Sequence, residues 1–242
     1  MIEVITMMHN EEMLAPLFLL HYWQADRITV ILNDCSDMTA HYLTPEMKCE
    51  VHQFKSGDLN DVVKAQVLSE YVNRSPADIR IVVDADEFVF GDLGQVREGE
   101  VYEVSFFEVF RHETDKDIDQ DAFPLQQRTH GNQIEGECFG QKHFKKPVVF
   151  GRGVVAQLCP GNHALLDKHP AVKGVFQSAH WAMADPALAI ARRLRKKERM
   201  SQFNKTHGLT SHDWHITRQE IVDECSKHLQ DPICIKTERE FL

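Results

Sequence analysis

The first half of the chain sorts its apolar residues into short β-branched runs and longer periodic stretches. Residues 2–7 (IEVITM) form one such run, ending in the polar cluster His9, Asn10, Glu11, Glu12. A helix is predicted over 13–24, with Leu17, Leu20 and His21 or Tyr22 at helical spacing. Pro16 falls in its first turn, where the missing N–H costs nothing. Residues 28–32 (ITVIL) give a second strand, closed by Asn33, Asp34, Cys35, Ser36 and Asp37, and 51–54 a third. Residues 59–72 read as a helix with Val62, Val63, Val67, Leu68 and Tyr71 on one side and Asp58 as its N-cap. The fourth strand, 79–83 (IRIVV), is apolar except for Arg80 and runs straight into Asp84, Ala85, Asp86 and Glu87.

This β-α-β-β-α-β order, with near-continuous apolar strands, predicts an α/β fold with a mostly parallel central sheet flanked by helices. In such sheets ligands bind beyond the carboxyl ends of the strands. Three of the predicted strands end there in carboxylate-rich clusters: Glu11 and Glu12, Asp34 and Asp37, and Asp84, Asp86 and Glu87. One acidic loop tip is ordinary; three on one edge point to a site. The second half is less regular. It offers a strand over 102–110, an acidic surface loop over 115–121 and a strand-like stretch over 148–155. A Pro160-Gly161 turn precedes Asn162 and His163, and Pro186 opens a helix to about residue 203. Neither an internal repeat nor a low-complexity linker divides the chain, so a single domain with C-terminal helical elaboration is expected.

Composition narrows the function. The 242 residues are 43% hydrophobic and 26% charged, which is globular, and the net charge of −10 argues against a nucleic-acid duplex as partner. It is compatible with an enzyme that meets phosphates through a few local cations. The longest apolar run, 14–20, contains Pro16 and falls far short of the ~20 residues that span a bilayer. The N-terminal stretch lacks a basic region and turns acidic by Glu11, unlike a secretory signal. Six cysteines at irregular spacing, with no CxxC pair, suggest reduced thiols and a cytoplasmic location.

The strongest chemical element is VVDADEFVF over 82–90. Two carboxylates at i and i+2 after a buried strand can place one side chain on a hard divalent cation and the other on a ribose or the same metal. A bare DxD also describes a solvated acidic turn. Here the apolar strand before it, and the return to the core through Phe88, Val89 and Phe90, favour a built site.

With HNEE after the first strand, NDCSDMT after the second and DADEF after the fourth, the chain resembles glycosyltransferases of the GT-A fold, in their family-2-like branch. His21-Tyr22 falls where that branch carries a helix-borne His and aromatic, and Cys35 stands where many relatives have Gly. The likeness is clear over 2–90. It continues weakly through KKPVVFGRGVV, GNHALL and AHWAMADPALAIARRLRKK. It implies a nucleotide-binding half over 1–90 and an acceptor-side half over 91–242. Asn10 and Glu11 are then expected to line the base and ribose pocket, Asp34 to contact a uridine-like base or ribose, and Asp84 to face ribose or metal. Asp86 is the expected principal ligand of Mn²⁺ or Mg²⁺, with His163 as a third ligand and His180-Trp181 as a stacking element. The implied donor is a nucleotide-sugar, a UDP-sugar foremost, and the acceptor a glycan or a lipid-linked hydroxyl, with inversion at the sugar.

An inverting transfer needs a carboxylate to deprotonate the acceptor. Glu135 and Glu137 in the Gly-flanked GNQIEGECFG, and Asp213 in SHDWH, are the candidates, although each alone also reads as a solvated loop acid. The segment RRLRKKER (192–199) would neutralise a diphosphate, or meet an anionic acceptor or a membrane surface; a solvated helix face is its ordinary reading. Rival readings are a non-catalytic sugar- or nucleotide-binding domain of the same fold and a DxD phosphotransferase. The latter's motif follows the first strand, whereas here it follows the fourth. A nucleotidyltransferase would need a Gly-rich basic loop where HNEE stands.

Overall fold

The structure is a computed structural model that describes residues 1–138, 141–143, 145–167, 169–209, 216–227 and 233–234; for 135–138, 141–143, 227, 233 and 234 the description is of the backbone. In chain order the first half runs β1 (Ile2–Met8), α1 (Ala15–His21), β2 (Arg27–Asn33), α2 (Thr39–Tyr42), β3 (Cys49–Phe54), α3 (Asp61–Arg74), β4 (Ile79–Val82) and β5 (Glu87–Gly91). The second half runs β6 (Val101–Val109), α4 (Pro124–Gln127), β7 (His130–Gln133), β8 (Glu135–Cys138), β9 (Gln141–His143) and β10 (Lys145–Gly151). It ends with β11 (Ala171–His180), α5 (Pro186–Arg199), α6 (Gln202–Thr206), α7 (Arg218–Lys227) and β12 (Ile233–Cys234).

Strands β3, β2, β1 and β4 lie side by side and are all parallel, the apolar runs of β2, β1 and β4 in the middle and the half-exposed β3 at the edge. The period-2 alternation decides which helix covers which face. Val4 and Met8 of β1, with Val30 and Leu32 of β2, pack among Leu17 and Phe18 of α1. The intervening Ile5 and Met7, with Ile31, pack among Ala65, Leu68 and Val72 of α3. Beyond β4 the sheet continues antiparallel through β10, β6, β7 and β12, while β11 runs parallel to β6 and pairs β5 on its other side. A separate hairpin joins β8 to β9. The fold is therefore α/β, parallel where the carboxylate clusters are and mixed beyond.

Arg80, the polar exception in β4, is 3% exposed; its guanidinium donates to the carbonyls of Val72 (3.1 Å), Val154 (3.0 Å) and Gly151. It ties α3 to the end of β10 by donating to backbone carbonyls of both. Gly151 is required there, since a Cβ would lie 1.9 Å from the Arg97 carbonyl oxygen.

Several boundaries differ from the sequence reading. The N-cap of α3 is Asn60, not Asp58: its side chain accepts from the amides of Val62 and Val63 (3.1 and 3.2 Å). Residue 59 is unavailable to the helix because the Leu59 amide donates to the Arg199 carbonyl (2.7 Å) and its carbonyl accepts from Ser201 (3.1 Å). The same bridge ends α5 at Arg199, so the predicted long helix becomes α5 and α6, the second begun by Ser201 bonding the Asn204 amide (3.0 Å). Strand β11 was not legible, since its early positions are half-exposed or exposed and lack alternation. Among the described residues, Cys35, Cys49, Cys159 and Cys225 are free thiols, and no helix is long and apolar enough to cross a membrane.

Candidate functional site

The carboxyl ends of β2, β1 and β4 are adjacent, so the three acidic clusters share one edge. Asn10 and Asp34, just past β1 and β2, both hold φ of 53°, a left-handed conformation that Asn and Asp tolerate best after Gly. Their side chains knit the loops. Asn10 accepts from the Ser36 amide (2.7 Å) and donates to the Ser36 hydroxyl (3.2 Å). Asp34 accepts from the amides of Ser56 (3.1 Å) and Gly57 (2.8 Å). The Glu11 amide donates to the Thr39 hydroxyl (2.7 Å) and the Glu12 amide to Asp37 (3.1 Å), fastening the first loop to the second. Asn10, assigned to a base pocket by the resemblance, thus has its amide engaged in the turn itself.

The DADE segment is a tight turn between β4 and β5, and Glu87 closes it. Its Oε2 accepts from the Asp84 amide (3.0 Å), while the Glu87 amide donates to the Asp84 carbonyl (3.0 Å). One edge of β5 pairs with β11, and the Asp86 carbonyl accepts from the Trp181 amide (2.8 Å) on that side. Alternation turns the polar groups of Glu87 and Val89 to the other edge, which pairs with no strand among the described residues. Helix α1 completes that edge with His21 and Tyr22. The Tyr22 hydroxyl donates to the Glu87 carbonyl (2.8 Å) and accepts from the Val89 amide (3.1 Å). His21 Nε2 lies 2.8 Å from the Val89 carbonyl, which only accepts, so Nε2 carries the proton. Burial pushes the His21 pKa down to about 4, so the ring is neutral at pH 7. The His-aromatic pair quoted for the resemblance is here the brace of the DADE turn.

The turn's carboxylates meet cations from four elements. Asp84 pairs with Lys64 of α3 (2.5 Å) and Lys146 of β10 (3.1 Å), and Lys146 also pairs with Glu87. Burial alone would raise the Asp84 carboxyl, but Lys146 and Lys64 outweigh it and hold it well below the usual carboxylate range. Asp86, 5% exposed, pairs with Arg192 of α5 and lies 3.4 Å from His180 Nε2. Its carboxyl too is driven down against burial, by Arg192 and then His180. His180 Nδ1 is 2.7 Å from Glu108 of β6. Burial opposes charging this ring, yet Glu108 and Asp86 prevail and keep it an imidazolium well above its ordinary pKa. Glu11 is held by Arg192 Nε (3.0 Å) and Nη2 (3.1 Å).

Helix α5 lies across the strand ends. From Arg192 to Arg199 is roughly 10 Å along a helix axis, and from β4 past β1 to β2 is two inter-strand steps, about the same distance. Arg192 accordingly reaches Asp86 and Glu11, while Arg199 Nη2 lies 3.4 Å from Asp34 and Asn33. With side chains 17% and 16% exposed, these two are no solvated face.

These pairings bear on the expected metal ligands. Among the described residues no three His, Cys, Asp or Glu side chains converge as a divalent cation's ligands do. Asp84 and Asp86 each already bind two cationic side chains, so the donor set does not fit a resident metal as it stands. His163 follows the short turn Pro160–Asn162 at the Asp84 end, where Lys146, Asp84, Lys64 and Lys196 act on it. Burial foremost pushes its pKa down to about 4, so it is neutral at pH 7. Trp181 is fully buried against Phe88 (ring centroids 5.3 Å apart), a core residue rather than a stacking platform. Glu135 and Glu137 belong to β8 and Asp213 lies outside the described residues, as do the side chains of the first two. The sequence reading missed Lys64, Lys146, Glu108 and the individual roles of Arg192 and Arg199.

No protein-family model and no curated protein matches the chain. Among solved structures, it is similar to Staphylococcus aureus TarS 1-349 in complex with UDP, at 10% identity and a TM-score of 0.39, over 82% of this chain and 64% of that one. It is also similar to HddC from Yersinia pseudotuberculosis, at 14% identity and a TM-score of 0.35, over 75% of this chain and 90% of that one. The chain thus spans less than two thirds of the TarS fragment. The α/β architecture stands on the strand order described above.

Proposed function

We propose that the chain is a nucleotide-sugar-dependent glycosyltransferase, moving a sugar from a nucleoside-diphosphate donor, a UDP-sugar foremost, to a hydroxyl of a glycan or lipid-linked acceptor. One observation carries the reading. Glu11, Asp34, Asp84 and Asp86 gather at the carboxyl ends of adjacent parallel strands, under a helix that brings arginines to them. A carboxylate row suits ribose and base hydrogen-bonding groups, and the arginines suit phosphate. In the reaction the acceptor oxygen bonds to the anomeric carbon as the carbon–oxygen bond to the diphosphate breaks. The bonding electron pair leaves with the diphosphate and the hydroxyl proton passes to a carboxylate. Attack opposite the leaving group inverts the sugar. Glu135 and Glu137 of β8, and Asp213, are the proposed bases. The carboxylates that the resemblance assigns to a divalent cation, Asp84 and Asp86, are engaged by side-chain cations instead. The free thiols are in keeping with a cytoplasmic setting.

The test is nucleotide release from UDP-glucose, UDP-galactose and UDP-N-acetylglucosamine, with and without hydroxyl acceptors, beside thermal shifts with nucleoside diphosphates. A ligand that binds only the native state raises the melting temperature. Release above the blank with a raised Tm supports the enzyme. A raised Tm with neither hydrolysis nor transfer of any donor makes it a binding domain, and no shift with any nucleotide overturns the reading.

A further inference from the structure

The same edge that is rich in carboxylates has its cation-binding capacity already used. Asp84 is held by Lys64 and Lys146, and Asp86 by Arg192 and His180. All four cations come from the chain. A divalent metal entering the DAD turn would have to displace buried ammonium or guanidinium groups and leave them without partners, which is costly.

The cations of α5, by contrast, are only partly engaged. Arg195 makes no ion pair with the described residues, yet its charge acts on His9, Glu11 and Asp37 at the ends of β1 and β2. Arg199 touches its partners with Nη2 alone, at 3.4 Å to Asn33 and Asp34 and 3.5 Å to Ser56 Oγ. Burial lowers its pKa more than Asp34 restores it, so this guanidinium is under-compensated. Arg195 and Arg199 are four apart, one helical turn, on the face α5 turns to the strand ends. Two like charges so placed repel each other unless an anion lies between them. One turn of helix, about 5.4 Å, is a span that two linked phosphates can bridge.

We propose that the phosphates of a nucleoside-diphosphate ligand are held by Arg195 and Arg199 of α5, side-chain cations serving where the resemblance places a divalent metal; this rests on the nucleotide-sugar reading above. Arg192, His180, Lys64 and Lys146 then neutralise the carboxylates beneath, so that the incoming anion is not repelled. Guanidinium groups bind phosphate oxygens through paired N–H donors and keep their charge at any working pH.

The experiment is calorimetric titration of UDP, GDP, CDP, UMP and uridine into the full chain, in EDTA and again in Mn²⁺. The expected result is a diphosphate that binds with the same affinity, within about twofold, in both buffers, and more tightly than UMP or uridine. Arg195→Gln, checked for folding by its near-UV circular dichroism, should weaken that diphosphate at least tenfold and leave uridine binding as it was. Should Arg195→Gln misfold, Arg195→Lys is measured instead; it keeps the charge but loses the paired donors, and a loss confined to the diphosphate supports the site. Diphosphate binding that requires Mn²⁺ overturns this proposal and leaves the nucleotide-sugar reading standing. Undiminished diphosphate affinity in the folded variant overturns the assignment to Arg195. Absence of binding by every nucleotide in both buffers overturns both.

Discussion

Replacing Tyr22 by Phe should destabilise the protein by about 2–4 kcal/mol, although the ring that fills the core is kept. The Tyr22 side chain is 0% exposed, and its hydroxyl serves two backbone groups at once, the Glu87 carbonyl at 2.8 Å and the Val89 amide at 3.1 Å. Phe at this position leaves both buried on the edge of β5 that, among the described residues, has no neighbouring strand. Each orphaned group costs about 1–2 kcal/mol, which sums to the figure above. Against a typical total of about 5–15 kcal/mol this is a large share. Urea unfolding monitored by circular dichroism measures it as a lowered midpoint at unchanged slope. Amide exchange gives a local check, because the Val89 N–H should lose protection by more than its neighbours in β11. A midpoint shift worth less than about 0.5 kcal/mol, with Val89 protection unchanged, would refute the bracing role of α1.

Three further outcomes are expected. His21 is held neutral with a pKa of about 4, below its unfolded value of about 6.5, so its contribution to stability is complete above pH 6.5 and is lost as the pH falls toward 4; NMR titration of the ring and stability against pH both report it. Gly151→Ala should cost about 3 kcal/mol, because the new methyl meets the Arg97 carbonyl oxygen at 1.9 Å and backbone must move; a melting temperature within a degree of wild type would contradict this. Asp86→Asn should lower the His180 pKa, since burial already opposes that imidazolium and one of its two directly paired carboxylates, Glu108 being the other, would be lost; an unchanged ring titration would mean Asp86 is not its partner.

The centre of the parallel half of the sheet was legible because β1, β2 and β4 are mostly apolar runs closed by polar clusters, whereas the edge strand β3 is largely polar. That signal lies within a few residues of sequence. The same locality exposed Asn10, Glu11, Asp34, Asp84 and Asp86 as strand-end groups. What faces them was not legible, because Arg192 meets Glu11 at a separation of 181 residues and Arg199 meets Asp34 at 165. On sequence alone RRLRKKER is equally a solvated face; long-range contacts, among them the bridge between Leu59 and Met200, fix how α5 lies. Lys146 escaped notice for another reason. The Pro147 beside it disguises the start of β10, and a bulge there lets the strand carry both residues. Glu87 was read as part of a motif, whereas its amide and carboxylate close the turn; nothing in a residue type distinguishes a ligand from a staple.

The ion pairs at the strand ends also set an order on the making of the molecule. Glu11, Asp34, Asp84, Asp86 and Glu87 are all synthesised before Lys146, His180, Arg192 and Arg199, and Lys64 alone among their partners accompanies them. A nascent chain that has delivered its four parallel strands therefore holds a row of like charges along one edge, repelling one another in water until their partners follow, Lys146 at 62 residues after Asp84 and Arg192 at 106 after Asp86. The hydrophobic faces of β1 and β2 can close on α1 and α3 well before that. The edge cannot, so the part of the fold written first in the sequence is closed only by residues that emerge long after it.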